Sequence, residues 1–252
     1  KYHGFDEYGN QLPFLDALSI QFIKDKKTEL FEFRKRNLDM IYRLPTDHIL
    51  EILDESLSEN QGEYREYALQ RVPEMGSQFL TFNLRNTIFS NINVRKAIDR
   101  EKILDFVLNG EGFATGIHGI TPPVLSDYNT EDIDGYTLNV DSARYFLDKA
   151  GYRDGKNFPK IELFLNPEGE RNTNVAIEIQ KQLKDHLNIN IELTILPFAQ
   201  LIEKSFQGDF GLMRAGWVAD YPSAENFLWI FYGQNVPNNK ARISYPNISR
   251  YS

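Results

Sequence analysis

The chain has 252 residues, 41% hydrophobic and 25% charged, enough to bury the core of one large or two small domains. Its formal net charge of -8 argues against a nucleic-acid partner, and no basic stripe runs along it. The absence of cysteine excludes a disulfide framework, a thiol nucleophile and a cysteine metal site, and no apolar run is long enough to span a membrane.

Asp6 to Asn10 is a turn cluster. Ala17 to Ile23 alternates, with Leu18, Ile20 and Phe22 on one face, which predicts a strand. Lys26 to Arg36 reads as a helix with Leu30 and Phe33 inward, and Leu38 to Ile41 as a second strand. A further helix starts at Pro45, capped by Thr46 or Asp47, with Ile49, Leu50 and Leu53 as its stripe. The acidic stretch Asp54 to Glu66 reads as a surface excursion; Tyr67 to Val72 and Ser77 to Leu84 read as strands. Asn93 to Ile103 is helical, with Asp99 and Arg100 as a structural pair. Gly110 to Gly119 is glycine-rich, but no Lys-Ser/Thr follows, so it is no phosphate loop.

Asn139 to Tyr152 reads as a helix capped by Asp141 or Ser142, with Ala143, Phe146, Leu147 and Ala150 inward and Gly151 as its stop. A strand through Ile161, Leu163 and Leu165, a helix from Asn172 to Leu187 and a strand from Ile189 to Ile195 follow. Next come a helix from Phe198 to Phe206, a strand from Phe210 to Met213, and a helix from Ser223 to Phe231 with Phe227, Leu228 and Phe231 on its apolar face. Strands alternating with helices imply an α/β fold with a mostly parallel sheet.

Between the last strand and the last helix lies Arg214-Ala215-Gly216-Trp217-Val218-Ala219-Asp220-Tyr221-Pro222. A guanidinium, an indole, a carboxylate and a phenol at the carboxyl end of a strand suit a zwitterionic ligand. On the residues alone the structural reading is the favoured one: Arg214 and Asp220 pair with each other or cap a loop, and Trp217 is core. Other chemistries lack their signatures. His3, His48, His118 and His186 have no metal-ligand spacing, and neither a Gly-x-Ser-x-Gly elbow nor a Gly-x-Gly-x-x-Gly fingerprint occurs. Carboxylates abound, but nothing flags an acid–base partner for Asp220. Asn247-Ile248-Ser249 is a sequon at chance level.

Arg-Ala-Gly-Trp-x-Ala-Asp-Tyr closely resembles the signature of the periplasmic oligopeptide- and dipeptide-binding proteins of ABC importers, solute-binding protein family 5. Further matches run in order from Tyr2 to Tyr251: Leu12-Pro13-Phe14-Leu15-Asp16, Leu38-Asp39-Met40-Ile41, Phe79-Leu80-Thr81-Phe82-Asn83, Val94-Arg95-Lys96-Ala97 followed by Ile98-Asp99-Arg100-Glu101, and Asp141 through Ala150-Gly151-Tyr152. One departure is a missing helical turn between Ala97 and Ile98. Lys1-Tyr2-His3-Gly4 is similar to a segment found mid-chain in the family, so the sequence reads as a middle-to-late piece of such a protein.

The resemblance implies a periplasmic binding protein-like fold with two α/β lobes. Residues 1–76 would belong to the lobe shared by both chain ends and residues 77–252 would form most of the C-terminal lobe. It implies a binder rather than an enzyme, without cofactor or metal, that captures peptides and delivers them to the permease subunits of an ABC transporter. The protein would be a monomer in the periplasm or on the outer face of the cell membrane, lipid-anchored through an N-terminus outside this chain. Asp220 would take the ligand ammonium and Arg214 a carboxylate. Trp217 and Tyr221 would wall the cleft, and Asn83, ending the run similar to a lobe-crossing strand, joins the ligand-binding set. The same fold with another solute (a nickel complex, an oligosaccharide, haem or an opine) is the alternative, and a hydrolase using Asp220 is the rival class.

Overall fold

The computed structural model describes residues 4–45, 48–49, 52, 68–70, 72–97, 119–125, 128–133, 139–167, 171–238 and 245–252. The chain divides into two compact units, Lys1–Pro45 and Thr46–Ser252.

In the first unit, α1 spans Lys26–Arg34 and buries Leu30 and Phe33, as their spacing predicts. Its N-cap is Asp25, whose carboxylate accepts from the Thr28 amide at 2.7 Å and the Thr28 hydroxyl at 2.6 Å. Those bonds hold the Asp25 carboxyl below its ordinary range. The strands expected at 17–23 and 38–41 do not form. Leu18, Ile20 and Phe22 are 77%, 68% and 95% exposed, so the alternating face meets no partner among the described residues. A strand's hydrogen bonds come from its neighbour, and without one the pattern alone does not order the backbone.

The second unit is built on one four-stranded sheet: β1 (Gly76–Phe82), β2 (Ile161–Leu165), β3 (Ile191–Ile195) and β4 (Leu212–Val218), in the order β1-β4-β2-β3. β2 pairs parallel with β3 and β4, while β1 runs antiparallel to β4. The sheet is therefore mixed, with its parallel part made by the expected strand–helix–strand units. The strand expected at 67–72 does not form at described residues 68–70 and 72.

The helices of this unit are α2 (Ile92–Lys96), α3 (Val140–Lys149), α4 (Arg171–Leu187), α5 (Phe198–Gln207) and α6 (Ala224–Leu228). Strand alternation splits the core in two. Ile161, Leu163, Leu165 and Leu212 pack with Val94 of α2, Ala143 and Leu147 of α3, and Ala176, Ile179 and Leu183 of α4. Phe164 and Met213 point the other way and pack with Phe210 and Leu201 of α5. This sandwich of helices about a sheet is the α/β layering that strand–helix alternation predicts.

Two boundary details differ from expectation. Asn139, not Asp141 or Ser142, caps α3, its side chain accepting from the Ser142 amide at 2.8 Å. Asp141 and Ser142 thus lie inside the first turn, where the acid still favours the helix dipole. The last predicted helix is shorter: α6 ends at Leu228 and a 3-10 turn covers Trp229–Phe231. Leu228 is 47% exposed rather than inward, while Phe227 is fully buried. The helix expected from Asn93 to Ile103 is described only as α2, so the Asp99–Arg100 pair and the missing turn lie outside the described residues, as do the cap at Thr46 and Asp47 and the glycine-rich stretch up to His118.

Candidate functional site

β4 continues five residues past the predicted end at Met213 and takes in most of the motif. Arg214 to Val218 are strand residues, paired with Leu80 to Gly76 of β1. Arg214 therefore sits mid-strand, and alternation puts Arg214, Gly216 and Val218 on one sheet face and Ala215 and Trp217 on the other. The expectation that the four groups gather at the strand's end is corrected in that respect: the guanidinium is set apart from the indole.

Arg214 is held on its face by Gln78 of β1, whose side-chain oxygen accepts from Nη2 at 2.6 Å. The Gln78 amide lies flat across Gly216, where an added Cβ would collide with it. A glycine here lets a cross-strand side chain cover the backbone.

On the opposite face Trp217 turns toward α6. Its indole N–H donates to Asn226 Oδ1 at 2.7 Å, and the same oxygen accepts from the Asp220 backbone N–H at 3.4 Å. Asn226 is fully buried, and its amide nitrogen has no hydrogen-bond partner. Phe227, Ala224 and Leu125 form a small core beneath, with Trp217 and Ala219 packed against it. The loop through Thr121, Pro122 and Pro123 is anchored there as well, Ile120 O accepting from the Ser77 hydroxyl at 2.6 Å.

Asp220 and Tyr221 follow the strand and are exposed. The Ala219 amide extends the ladder by one bond to Met75 O at 2.8 Å, so the chain leaves the sheet at Asp220 itself. The 245–252 segment brings in a residue that nothing in the sequence flagged. The Tyr245 ring packs against Trp217, centroids 5.6 Å apart and tilted by 57°. Its hydroxyl faces the Asp220 carboxylate, and burial, then that carboxylate, push the phenol above its ordinary value. Asn247 anchors the segment: it is fully buried, with its side-chain nitrogen donating to Tyr232 O at 3.2 Å and Tyr251 O at 2.8 Å. The sequon asparagine is thus a structural tie.

Asn83 does not join this group. It follows the other end of β1, 5% exposed, its side-chain nitrogen donating to Gly208 O at 2.9 Å and Phe210 O at 3.0 Å. A cavity of about 800 Å³ lies at that end, lined by Asn83 and by residues at the amino ends of β2 and β3. Charged couples there neutralise each other, Lys160 with Glu192 and Lys204 with Asp209. Arg250 is buried beside it, donating to the Ser205 and Phe206 carbonyls at the end of α5. Ligands of open α/β sheets bind at the carboxyl ends of the strands, which favours the Asp220 end over the larger cavity.

The structure thus groups Asp220, Trp217 and Tyr221 with Asn226 and Tyr245, and separates Arg214 and Asn83 from them. Asn226 was detectable as a polar residue beside the apolar Phe227-Leu228; Tyr245 lies 25 residues beyond Asp220 with no pattern to connect them. Among the described residues no group of His, Asp and Glu could hold a metal ion, and no helix is long and apolar enough to cross a membrane.

Comparison with known proteins agrees with the sequence resemblance. The oligopeptide-binding protein OppA of Bacillus subtilis is 25% identical over 250 residues, covering 94% of this chain. The chain spans 43% of that relative's length. Among solved structures, a periplasmic oligopeptide-binding protein of Borrelia burgdorferi matches 89% of this chain and 42% of its own, at 26% identity and a TM-score of 0.68. Haemophilus influenzae OppA in complex with the peptide RPPGFSPFR matches 91% of this chain and 43% of its own, at 25% identity and a TM-score of 0.65. Residues 1–239 match the family described as bacterial extracellular solute-binding proteins, family 5 middle, and the chain belongs to that family.

Proposed function

We propose that this chain is part of the peptide-capturing subunit of an ABC importer, with Asp220 as the anchor for the ligand's free amino group. The observation that carries the reading is the placement of Asp220. Its carboxylate is exposed where β4 leaves the sheet, and its backbone is tied through Asn226 to the Trp217 indole. A cleft that closes on a free peptide amine buries a cation, and burying it without a carboxylate is very costly. The peptide-binding names of the relatives support the same ligand class. The unit built on the β1–β4 sheet supplies most of one lobe, and the first unit, Lys1–Pro45, belongs to the other. The protein works as a monomer outside the cytoplasm, where closure on the ligand prepares it for the permease.

Arg214 serves this reading less directly than Asp220, because Gln78 engages it on the other sheet face. Its part is to orient the edge of the cleft or to meet the far end of a longer peptide. Asn83 contributes by fixing the β1 end, not by touching ligand. Binding without chemistry fits the family, whose described members are binding proteins.

A thermal-shift screen of the intact protein against short free-amine peptides tests the reading. A ligand that binds only the folded state raises its apparent stability. The expected result is a melting temperature that climbs with peptide concentration while the peptide is recovered uncut. Absence of any shift contradicts peptide capture, and cleaved peptide contradicts a pure binder.

A further inference from the structure

Asp220 is exposed, and an exposed carboxylate with no fixed direction gives little selectivity, because it must be ordered when the ligand arrives. A selective anchor needs its carboxylate held in one geometry beforehand. The surrounding residues are arranged to do that. The side-chain oxygen of Asn226 ties down the Trp217 indole at 2.7 Å and the Asp220 backbone at 3.4 Å. Trp217 in turn supports the Tyr245 ring at 5.6 Å. The Tyr245 hydroxyl is turned to the Asp220 carboxylate and to the Asn226 amide nitrogen, which lies beyond hydrogen-bond reach of it.

Three contacts link these residues: the Trp217 indole to Asn226, the Asp220 backbone to the same Asn226 oxygen, and the Tyr245 hydroxyl facing the Asp220 carboxylate while its ring packs on Trp217. The buried donor of Asn226 has no partner.

We propose that Tyr245 is the positioning residue of the amine anchor: its hydroxyl, on a ring packed against Trp217, holds the Asp220 carboxylate in the geometry that receives a primary ammonium. This rests on the reading of Asp220 as that anchor. A carboxylate offers about four acceptor sites, so one given to a phenol leaves the others for an ammonium's three donors. The phenol suits the task because it remains a donor. Burial and the facing Asp220 and Tyr221 raise its pKa, and Asn226 alone opposes them.

The test uses the intact protein, trialanine and N-acetyl-trialanine as probes, and the variant Tyr245→Phe, which keeps the ring against Trp217 and removes the hydroxyl. The quantity read is the ratio of affinities for the free and acetylated peptides. Tyr245→Phe is expected to lower that ratio by about tenfold, the scale of one hydrogen bond to a charged group, while the acetylated peptide binds as before. A ratio equal to wild type, or a higher one because the phenol was competing with the ligand, overturns the proposal. A wild-type protein that does not distinguish the two peptides overturns the amine-anchor reading itself and this proposal with it. Tyrosine Cζ resonances give a ligand-free readout. The resonance lost in Tyr245→Phe should titrate above pH 10 in the wild type and move down in Asp220→Asn. A Tyr245 signal untouched by Asp220→Asn overturns the proposal even where the phenylalanine variant fails to fold.

Discussion

The two ends of the β1–β4 pair are made of similar materials and do different work. At one end Asn83 and Arg250 are buried polar residues whose side-chain groups reach main-chain carbonyls. At the other, Asn226 is just as buried but leaves its amide nitrogen unpartnered, and Asp220 stands exposed beside it. Buried groups that are satisfied help to specify the fold, and the open Asn226 donor adds nothing to that specification. The cavity of about 800 Å³ belongs to the satisfied end.

Substitutions can sharpen this contrast. The largest loss of stability should come from the shared core, not from either end. Leu163→Ala empties a position with 0% exposure and should cost about 2–5 kcal/mol in urea melts, with peptide selectivity intact among folded molecules. Asn83→Leu should cost about 2–3 kcal/mol, because it strands the Gly208 and Phe210 carbonyls. Asn226→Leu should cost less, about 1–2 kcal/mol, since the orphan donor disappears along with the bonds to Trp217 and Asp220. Equal losses for the two asparagines would erase the distinction between the ends. Asn139→Ala, which removes the α3 cap, should cost about 1 kcal/mol and leave selectivity unchanged.

The smallest effect concerns alkaline pH. Tyr245 has a raised folded-state pKa, so between its unfolded value of 10.0 and its folded value the native state holds more protons. Its contribution is complete below pH 10 and is lost as the pH climbs through the folded pKa. Melts between pH 9 and 11 should show a steeper decline for wild type than for Tyr245→Phe; parallel curves would mean that the phenol does not face Asp220.

The sequence made the second unit far more legible than the first. Ile161 to Leu165 and Ala17 to Ile23 both alternate, yet only the former is a strand. Leu163 has β3 and β4 on either side and helices over its face, whereas Phe22 is 95% exposed. Periodicity records which face a segment can bury, and the neighbour that buries it is a property of the fold. Helix ends are legible to within a few residues, because stops such as Gly151, with φ of 94°, are local. Asp220 could be found because its motif is contiguous. The separation of Arg214 from Trp217 could not, since it depends on where the strand ends: extending β4 through Val218 turns neighbours in sequence onto opposite faces. Tyr245 was invisible because its link to Asp220 is made by tertiary packing alone.

The central claim is that the Asp220 carboxylate meets a ligand ammonium. Its most direct test is a cycle of four affinities by calorimetry, with wild type and Asp220→Asn each against a free-amine peptide and its N-acetylated form. Asp220→Asn is expected to weaken the free-amine peptide by about 2–5 kcal/mol, the cost of removing one partner of a buried charge pair. The acetylated peptide, already a weak ligand, should lose little more. Equal losses for the two peptides would contradict the claim and make Asp220 a residue of the fold.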